Sequence, residues 1–438
     1  MFTWLFTKTP LLFFIQPFWR DEAFSYFMAK KNVFEIIYLT AKDFNPPLYY
    51  LVLHFWMNTF GSSEIALRSL SFIFFWANIY VVFLFINNVF KIKQKKALLY
   101  LILFIFNPLL LYYAFEARMY SMFAFLASLS YYAFYKKNNR LYLFSTIAGL
   151  FTHYFMFFVV FSQLFFLIIY KKNINYIKSK IIYLSVLIFS PWLIFFFSQN
   201  SLPNSFWLNK PHIKDIFALL GIIYTGNEAA FYPSGLMAKI QNNVMYFSLV
   251  LLMIIVIGIY LYAKKFSKKD RSFFQLLFIW GIGISLIIGL ISFIKPLYFP
   301  RYLIFTTVGL LLLVVFILEK INIYFRAVLF ATLIMLTFSY QKLQIKYRRK
   351  TDLRKILNEI QVIANKKDLV YTDDLDFFTA KYYLKNNVYI YGKSFEDIPA
   401  YNGKVLIPKE SIASNLPFYP QKAFILKPEG QYSIQALY

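Results

Sequence analysis

Apolar runs long enough to cross a lipid bilayer recur along the whole 438-residue chain and constrain its fold more than any other feature. A helix needs about 17 to 25 predominantly apolar residues to span the hydrocarbon core of a membrane. Apolar residues make up 60% of the sequence and charged residues 15%, whereas about a quarter of the residues of a soluble domain are charged. The sequence therefore predicts an α-helical polytopic membrane protein.

About eleven membrane spans are predicted, and one long apolar run is divided in two at the tripeptide THY, near His153. The first span is short and contains Lys8 and Pro10, so we expect an irregular helix there. The predicted spans are Thr3–Phe18, Ile65–Phe90, Ala97–Phe115, Met119–Tyr135, the divided run Leu141–Tyr170, Ile181–Phe197, Asn243–Ala263, Phe273–Ile294, Tyr302–Leu318 and Asn322–Tyr340.

Lys- and Arg-rich loops follow every second span and predict the orientation of the chain. They read KIKQKK, KKNNR, KKNINYIKSK, KKFSKKDR and EKINIYFR. Short loops with this bias face the cytoplasm, so the N-terminus is also expected there. The formal net charge of +26 is explained by this topology signal, and nucleic acid is not expected as a partner.

The last hundred residues differ in character from the rest of the chain. Short strand-like segments, DLVYTD, NVYIYG, KVLIP and KAFILKP, alternate with two helix-like segments, TDLRKILNEIQVIA and DFFTAKYYLK. We predict a transmembrane domain over residues 1–340 and a small extracytoplasmic α/β domain over residues 341–438. The chain contains no cysteine, which excludes disulfides, thiol nucleophiles and thiolate-bound metals.

Charged residues gather at the ends of spans on the face opposite the basic loops. Carboxylates next to hydrocarbon cost several kcal/mol unless they are paired or hydrated. Each of these residues could instead have a structural role. Asp21 and Glu22 could cap a helix, and Asp43 could cap a helix starting near Pro46. Glu116 and Arg118 could form a local ion pair, and His153 could be a core histidine. Together, however, acids that accept protons and cations that hold phosphate predict an active site at the membrane surface for an anionic substrate.

The same residues lie in segments that resemble ordered motifs of bacterial GT-C glycosyltransferases. These segments are WRDEAFSYFMA, DFNPPLYYLVLHFW, FGSSEIALRSLS, EARMYSMF, THYF and FPRYLIF, and they cover about Phe18 to Phe305. They are similar to the protein O-mannosyltransferases and the lipid A aminoarabinose transferase of glycosyltransferase family 39. The resemblance implies an enzyme of the bacterial cytoplasmic membrane that moves a sugar from a polyprenyl-phosphate donor to an extracytoplasmic acceptor, with inversion at the anomeric carbon.

Four acidic residues acquire roles from this resemblance. Asp21 matches the catalytic aspartate, the base for the acceptor hydroxyl, and Glu22 supports it. Glu116 matches an acid of the second catalytic loop. Asp43 matches the acid that precedes a proline pair near a metal or the donor phosphate. A divalent cation is therefore a possible cofactor, and no nucleotide cofactor is expected because the sugar arrives activated on its lipid.

Five further residues match positions near the donor phosphate. Arg118 is the partner of the second-loop acid, and His153 with Tyr154 matches a His-Tyr pair. Arg301, with Tyr302, matches the arginine that binds the lipid phosphate. Two other interpretations stay open: a transporter or flippase of lipid-linked sugars, which would have charges in the middle of its spans, and an assembly subunit that docks through its C-terminal domain.

Overall fold

The computed structural model describes residues 2–169, 176–199, 208–228, 234–348, 350, 352–384, 387–427 and 430–438. The predicted basic loop KKNINYIKSK falls partly outside these residues. The helices are α1 Phe2–Lys8, α2 Leu12–Ile15, α3 Arg20–Ala29, α4 Val33–Ala41, α5 Leu48–Phe60, α6 Glu64–Leu84, α7 Gln94–Ile105, α8 Pro108–Ala114, α9 Tyr120–Lys136, α10 Asn139–Leu150, α11 Met156–Ile169, α12 Tyr176–Gln199, α13 Ile213–Phe217, α14 Leu219–Thr225, α15 Met237–Lys264, α16 Lys268–Phe278, α17 Ile284–Ile291, α18 Ile304–Leu318, α19 Ile323–Tyr347, α20 Leu353–Ile363 and α21 Phe377–Tyr383.

Six helical stretches in the described residues are long and apolar enough to cross a membrane, or seven if the bent pair α7–α8 is one span. The fold is that of a multi-pass membrane protein. The six lie in α6, α12, α15, α16 with α17, α18 and α19, and all overlap predicted spans. Helices α9, α10 and α11 are shorter, so the count of about eleven spans stays a prediction.

Helix α18 lies at the centre of the membrane body. Each of its residues from Ile304 to Leu318 is buried, as expected of an apolar helix surrounded by other helices. A Cβ atom added to Gly309 would lie 2.6 Å from the Trp280 ring, so only glycine permits this close helix packing. Helix α18 follows directly after a short 3-10 turn that contains Arg301. The most buried helix of the body therefore fixes the position of that arginine.

The break at THY divides the long apolar run as predicted. Helix α10 ends at Leu150 and α11 begins at Met156, with His153 in the turn between them. The backbone N–H of Leu48, the first residue of α5, donates to the carbonyl of Phe151 in this turn, at 3.0 Å. The proline-pair segment and the His-Tyr segment, about a hundred residues apart in sequence, are therefore neighbours in the fold.

The N-terminal region consists of short helices in place of one continuous first span. Helices α1 and α2 are separated at Thr9 and Pro10, and proline cannot donate the backbone hydrogen bond that a continuous helix needs. Helix α5 begins at Leu48, close to the start predicted at Pro46. Its N-cap is Pro47, with no side-chain cap, so the alternative in which Asp43 caps this helix is wrong.

The C-terminal region is a five-stranded sheet with two helices. Its strands are β1 Leu369–Thr372, β2 Asn387–Tyr391, β3 Ile412–Ala413, β4 Ala423–Lys427 and β5 Gln431–Gln435, in the order β3-β2-β1-β4-β5. Neighbours among β1 to β4 are parallel, and β5 is antiparallel to β4. The α/β class is confirmed, and the domain boundary at residue 340 stays a prediction because α19 continues to Tyr347.

Two details of the predicted strands differ from the structure. The segment KVLIP forms a 3-10 turn, Lys404–Leu406, because Gly403 before it has a positive φ of 78° and redirects the chain. The sequence does not predict β3 or β5, because β3 has only two residues and QYSIQ in β5 is mostly polar; both lie at edges of the sheet. No residue of β3 or β5 belongs to the buried core, where the apolar pattern is most informative.

We expect the basic loop after α6 and the C-terminal domain to lie on opposite sides of the membrane. Lys95 and Glu396 are both exposed, and the chain has no native cysteine. A membrane-impermeant thiol reagent applied to intact cells should label Glu396→Cys but not Lys95→Cys, and permeabilised cells should show labelling at both. Labelling of both sites in intact cells would contradict this topology.

Candidate active site

A cavity of about 540 Å³ lies between the membrane body and the C-terminal domain. All nine residues named from the sequence belong to two groups: those that line the cavity and those behind its wall. The lining residues among them are Asp21, Asp43, Arg118, His153, Tyr154, Arg301 and Tyr302. Glu22 and Glu116 lie behind the wall, both buried. Residues from five separate motifs therefore converge on one cavity.

Asp21 faces the cavity from the first turn of α3 and is flanked by two arginines. Its Oδ2 lies 3.1 Å from Nη1 of Arg301 and 3.9 Å from Nη2 of Arg118, and 37% of its side-chain area is exposed. Burial raises the pKa of Asp21, but the charges of Arg118 and Arg301 outweigh this effect and hold that pKa below its usual range. Without a ligand, Asp21 is therefore a paired carboxylate.

Arg301 is held from behind by Glu228, a residue that the sequence analysis did not identify. Nη2 of Arg301 lies 2.8 Å from Oε2 of Glu228, and its Nε lies 3.3 Å from Oε1. The Tyr113 hydroxyl donates to Oε1 at 2.7 Å, and Arg348 lies 3.5 Å from Oε2. A forked pair of this kind fixes the plane of the guanidinium, so Nη1 of Arg301 is directed to Asp21 and the cavity.

Glu22 forms a buried network with Arg68 and Lys350. Both of its oxygens accept from Arg68 at 2.7 Å, and Nζ of Lys350 donates to Oε2 at 2.6 Å. Burial raises the pKa of Glu22, but these two cations outweigh it and hold that pKa well below its usual range. Oε2 also accepts from the Trp19 backbone N–H at 3.0 Å, so the capping role considered for Glu22 is present as well.

The network also holds the loop that contains Glu116 and Arg118. Oε1 of Glu22 accepts from the Ala117 backbone N–H at 3.0 Å, and Lys350 lies 3.6 Å from Oε2 of Glu116. Burial raises the pKa of Glu116. Arg118 is directed to Asp21, so Glu116 and Arg118 find separate partners instead of forming the local ion pair considered above. Their catalytic and phosphate-binding roles stay predictions.

His153 lies in the cavity wall as a neutral imidazole. Its Nδ1 accepts from the Phe155 backbone N–H at 3.1 Å, and its ring stacks on Phe123 with centroids 4.8 Å apart. Burial and the nearby charge of Arg118 lower the pKa of His153 to about 3. The hydrogen-bond pattern assigns the proton to Nε2, so this histidine can donate a hydrogen bond but brings no charge. The neighbouring Tyr154 hydroxyl accepts from Nε1 of Trp192 at 3.2 Å.

Asp43 lies in the cavity wall with few polar partners. Its Oδ2 accepts from Nδ2 of Asn45 at the long distance of 3.5 Å. Burial raises the pKa of Asp43 to about 6, and this effect exceeds the opposing effects of a backbone hydrogen bond from Phe44 and the charge of Arg118. The described residues contain no group of three or more His, Asp or Glu side chains that could hold a metal ion. The donor set around Asp43 therefore does not fit a metal site formed by the protein alone.

The C-terminal domain contacts the first turn of α3 on both sides of Asp21. Arg20 forms a forked ion pair with Asp376, at 2.7 and 3.1 Å. The Phe18 backbone N–H donates to the Tyr383 hydroxyl at 2.7 Å. Together with the Lys350 contact to Glu22, these bonds hold three of the residues nearest to Asp21. The position of Asp21 thus depends on the C-terminal domain as well as on the membrane body.

Sequence reasoning missed the four charged residues that hold the site from behind. Arg68 lies in the segment FGSSEIALRSLS, which was recognised without assigning it a role. Arg348 and Lys350 belong to the basic run after α19, and Glu228 is an acid in a long loop. The charge of these four residues was the signal in the sequence that could have identified them. Their partners lie about 46 to 330 residues away in the chain, so the pairing could not be read from local spacing.

The chain is similar in structure to two crystal structures of ArnT from Cupriavidus metallidurans. The structure bound to undecaprenyl phosphate matches with a TM-score of 0.50 and 12% identity, over 97% of this chain and 92% of that chain. The structure in the apo state matches with a TM-score of 0.49 and 11% identity, over 95% and 91%. This chain has the GT-C fold. No protein-family model matches its sequence, and no curated protein does either.

Lys350→Met should destabilise this GT-C protein, because it removes a cation that pairs with Glu22 and Glu116 in a buried network. Breaking a buried ion pair leaves an uncompensated charge and costs about 3 kcal/mol or more. Thermal unfolding of the purified protein in detergent measures the loss. The exposed Lys355 provides the matched control, since Lys355→Met removes the same charge from the domain surface. Equal stability of the two variants would contradict the role of Lys350.

Asp43→Asn should stabilise the protein at neutral pH and have little effect near pH 4. A carboxyl whose pKa is about 6 in the fold and 3.8 when unfolded binds more protons in the folded state, so stability falls as the pH rises from 3.8 to 6. The cost reaches about 3 kcal/mol above pH 6. The unfolding temperatures of the wild type and of Asp43→Asn, measured from pH 4 to pH 8, should diverge as the pH rises to about 6. Above that pH the difference between them should stay constant. A constant difference at every pH would disprove the raised pKa.

Proposed function

We propose that this protein is an integral-membrane glycosyltransferase that moves a sugar from a polyprenyl-phosphate donor to an acceptor outside the cytoplasm. The observation that carries the proposal is the position of Asp21, an accessible carboxylate between Arg118 and Arg301 in a cavity of a GT-C fold. Support also comes from the neighbouring structure of ArnT bound to undecaprenyl phosphate. The proposed location is the bacterial cytoplasmic membrane, with the cavity on its outer side.

The donor phosphate would bind at the arginine side of the cavity. Nη1 of Arg301 and Nη2 of Arg118 both lie near Oδ2 of Asp21, and His153 can donate a hydrogen bond from its neutral Nε2–H. Charge-assisted hydrogen bonds from guanidinium groups suit a phosphodiester, which carries one negative charge. Tyr154 and Tyr302 line the same wall and would contact the donor. Binding would move the arginine charges from Asp21 to the phosphate.

The reaction would be a single displacement at the anomeric carbon. The acceptor oxygen forms a bond to that carbon as the bond from the carbon to the phosphate oxygen breaks, and the acceptor proton passes to Asp21. The polyprenyl phosphate leaves with a second negative charge, which Arg301 and Arg118 stabilise. Attack from the face opposite the leaving group inverts the configuration. Every step is assigned to groups of this chain and none to a metal ion.

Donor binding would also prepare Asp21 as a base. Arg118 and Arg301 hold its pKa low in the ligand-free protein, which makes a carboxylate a weak proton acceptor. A phosphate that takes up these two charges would return the pKa of Asp21 towards its ordinary value. Asp21 would therefore become an effective base only when the donor is bound. Deprotonation of the acceptor in the absence of a donor sugar would then be limited.

Substitutions of Asp21 and Arg301 should separate chemistry from donor binding. Asp21→Asn should abolish sugar transfer and retain affinity for undecaprenyl phosphate, since the base is lost and both arginines remain. Arg301→Ala should weaken undecaprenyl phosphate binding about tenfold to a hundredfold, the loss expected for a charged hydrogen bond. Affinity is measured with the purified protein, and transfer by mass spectrometry of surface glycans and lipids from cells with each variant and without the protein.

Lys295→Ala is the matched control, because it removes a charge from an exposed side chain six residues before Arg301. It should change neither measurement. Normal transfer by Asp21→Asn would overturn the assignment of the base. Surface glycans that require the protein but stay normal with Asp21→Asn would support the alternative, a transporter or flippase of lipid-linked sugars.

A further inference from the structure

One wall of the cavity is formed by the C-terminal domain. Leu375 and Phe378 line the cavity from the connection after β1 and from α21, and Tyr401, Asn402 and Gly403 line it from the connection between β2 and β3. Residues of the membrane body such as Arg118 and Arg301 line the same cavity. None of the residues proposed to bind the donor phosphate belongs to the wall formed by the C-terminal domain.

This wall lies at the edge of the sheet where binding sites in open α/β sheets are found. The chain runs outward from β1 to β2 and β3, then returns to place β4 on the other side of β1. Ligands of such sheets bind beyond the carboxyl ends of the strands, where the direction of winding reverses. Residues 373–376 follow the carboxyl end of β1 directly, and Leu375 among them reaches the cavity.

Hydrogen bonds make this wall rigid. Asp374, almost fully buried, accepts from Nζ of Lys393 at 2.6 Å and from Nδ2 of Asn402 at 2.8 Å, which joins the two connections. Gly403 has a φ of 78°, and a Cβ atom there would lie 2.7 Å from the Phe24 ring and 2.8 Å from the Phe378 ring. The turn at 401–403 is therefore pressed against α3, with Tyr401 still 39% exposed.

Two of the three acids in the connection after β1 are paired within the protein, and the third, Asp373, does not line the cavity. Asp374 is paired with Lys393, and Asp376 forms a forked ion pair with Arg20. What remains for a ligand is the ring and hydroxyl of Tyr401 and the carbonyl oxygen Oδ1 of Asn402, whose Nδ2 already donates to Asp374. Aromatic rings with one polar end and side-chain amides bind molecules that have both apolar faces and hydroxyl groups.

We propose that the wall formed by Leu375, Phe378 and residues 401–403 is the acceptor subsite, and that it binds an uncharged saccharide. This inference rests on the proposed glycosyltransferase function and adds the chemical class of the acceptor. Tyr401 packs against a sugar ring, Asn402 bonds to its hydroxyls, and the reacting hydroxyl is presented to Asp21. The acceptor sugar belongs to a glycan or to the headgroup of a glycolipid, and both offer the same chemistry.

The lining favours a saccharide over a peptide acceptor. An extended peptide is commonly bound by adding a strand to an exposed sheet edge, and no described residue that lines this cavity belongs to a β-strand. The lining comes from helices, turns and connections. The volume of about 540 Å³ lies in the range of small-molecule sites, which suits a few sugar rings.

Saturation-transfer NMR on the full-length protein loaded with undecaprenyl phosphate tests the proposal. The probes are three neutral trisaccharides, one each of glucose, mannose and N-acetylglucosamine, and an octapeptide that contains serine and threonine. We expect a trisaccharide to bind the wild type, Tyr401→Ala to weaken that binding about tenfold, and Tyr401→Phe to stay within about threefold. Affinity for undecaprenyl phosphate should be unchanged in both variants, and Tyr438→Ala, an exposed tyrosine outside the cavity lining, should behave as the wild type.

Three results would overturn the acceptor subsite while the glycosyltransferase proposal stands. They are binding of the octapeptide but of no trisaccharide, binding of none of the probes, and trisaccharide binding that Tyr401→Ala leaves intact. Failure of the wild type to bind undecaprenyl phosphate would instead contradict the proposed function itself. The two proposals therefore fail on different measurements.

Discussion

The buried ion-pair network of Glu22, Arg68 and Lys350 is the interaction on which the site depends. A carboxylate so deeply buried is tolerated only when cations and hydrogen-bond donors surround it. Glu22 receives these partners from α6, from the chain after α19 and from the loop before α9. One side chain thereby joins helix α3 to the membrane body and to the start of the C-terminal region, and it leaves the adjacent Asp21 facing the cavity.

A second set of buried charges holds Arg301, the arginine that pairs with Asp21 in the cavity. Glu228 accepts from Arg301 and Tyr113 and lies close to Arg348, so the charge of Arg301 is oriented before any ligand arrives. Preorganised cations stabilise developing negative charge without rearrangement during the reaction. In both networks a buried acid that does not line the cavity positions a residue that does. Glu22 supports α3 beside Asp21, and Glu228 supports Arg301.

The C-terminal domain is part of the site and does more than cover it. Its contacts to Phe18, Arg20 and Glu22 fix the turn that carries Asp21, and its strand connections complete the cavity wall. The sequence indicated an α/β domain here and gave no position for it relative to the membrane helices. Because the connections after its strands line the same cavity as Arg118 and Arg301, the proposed donor and acceptor sites would lie on different walls of one cavity.

The sequence by itself determined the membrane class, most of the helices, the break at His153 and seven of the residues that line the cavity. These follow from local patterns: apolar length, proline and glycine positions, and short motifs in a fixed order. Only the tertiary structure decided which charges pair. It separated Asp21, which faces the cavity, from Glu22, which lies behind it, and it brought Glu228, Arg348 and Lys350 to the site. Helical periodicity turns neighbouring residues to different faces, and the partners that each face meets come from distant parts of the chain, so no local pattern records them.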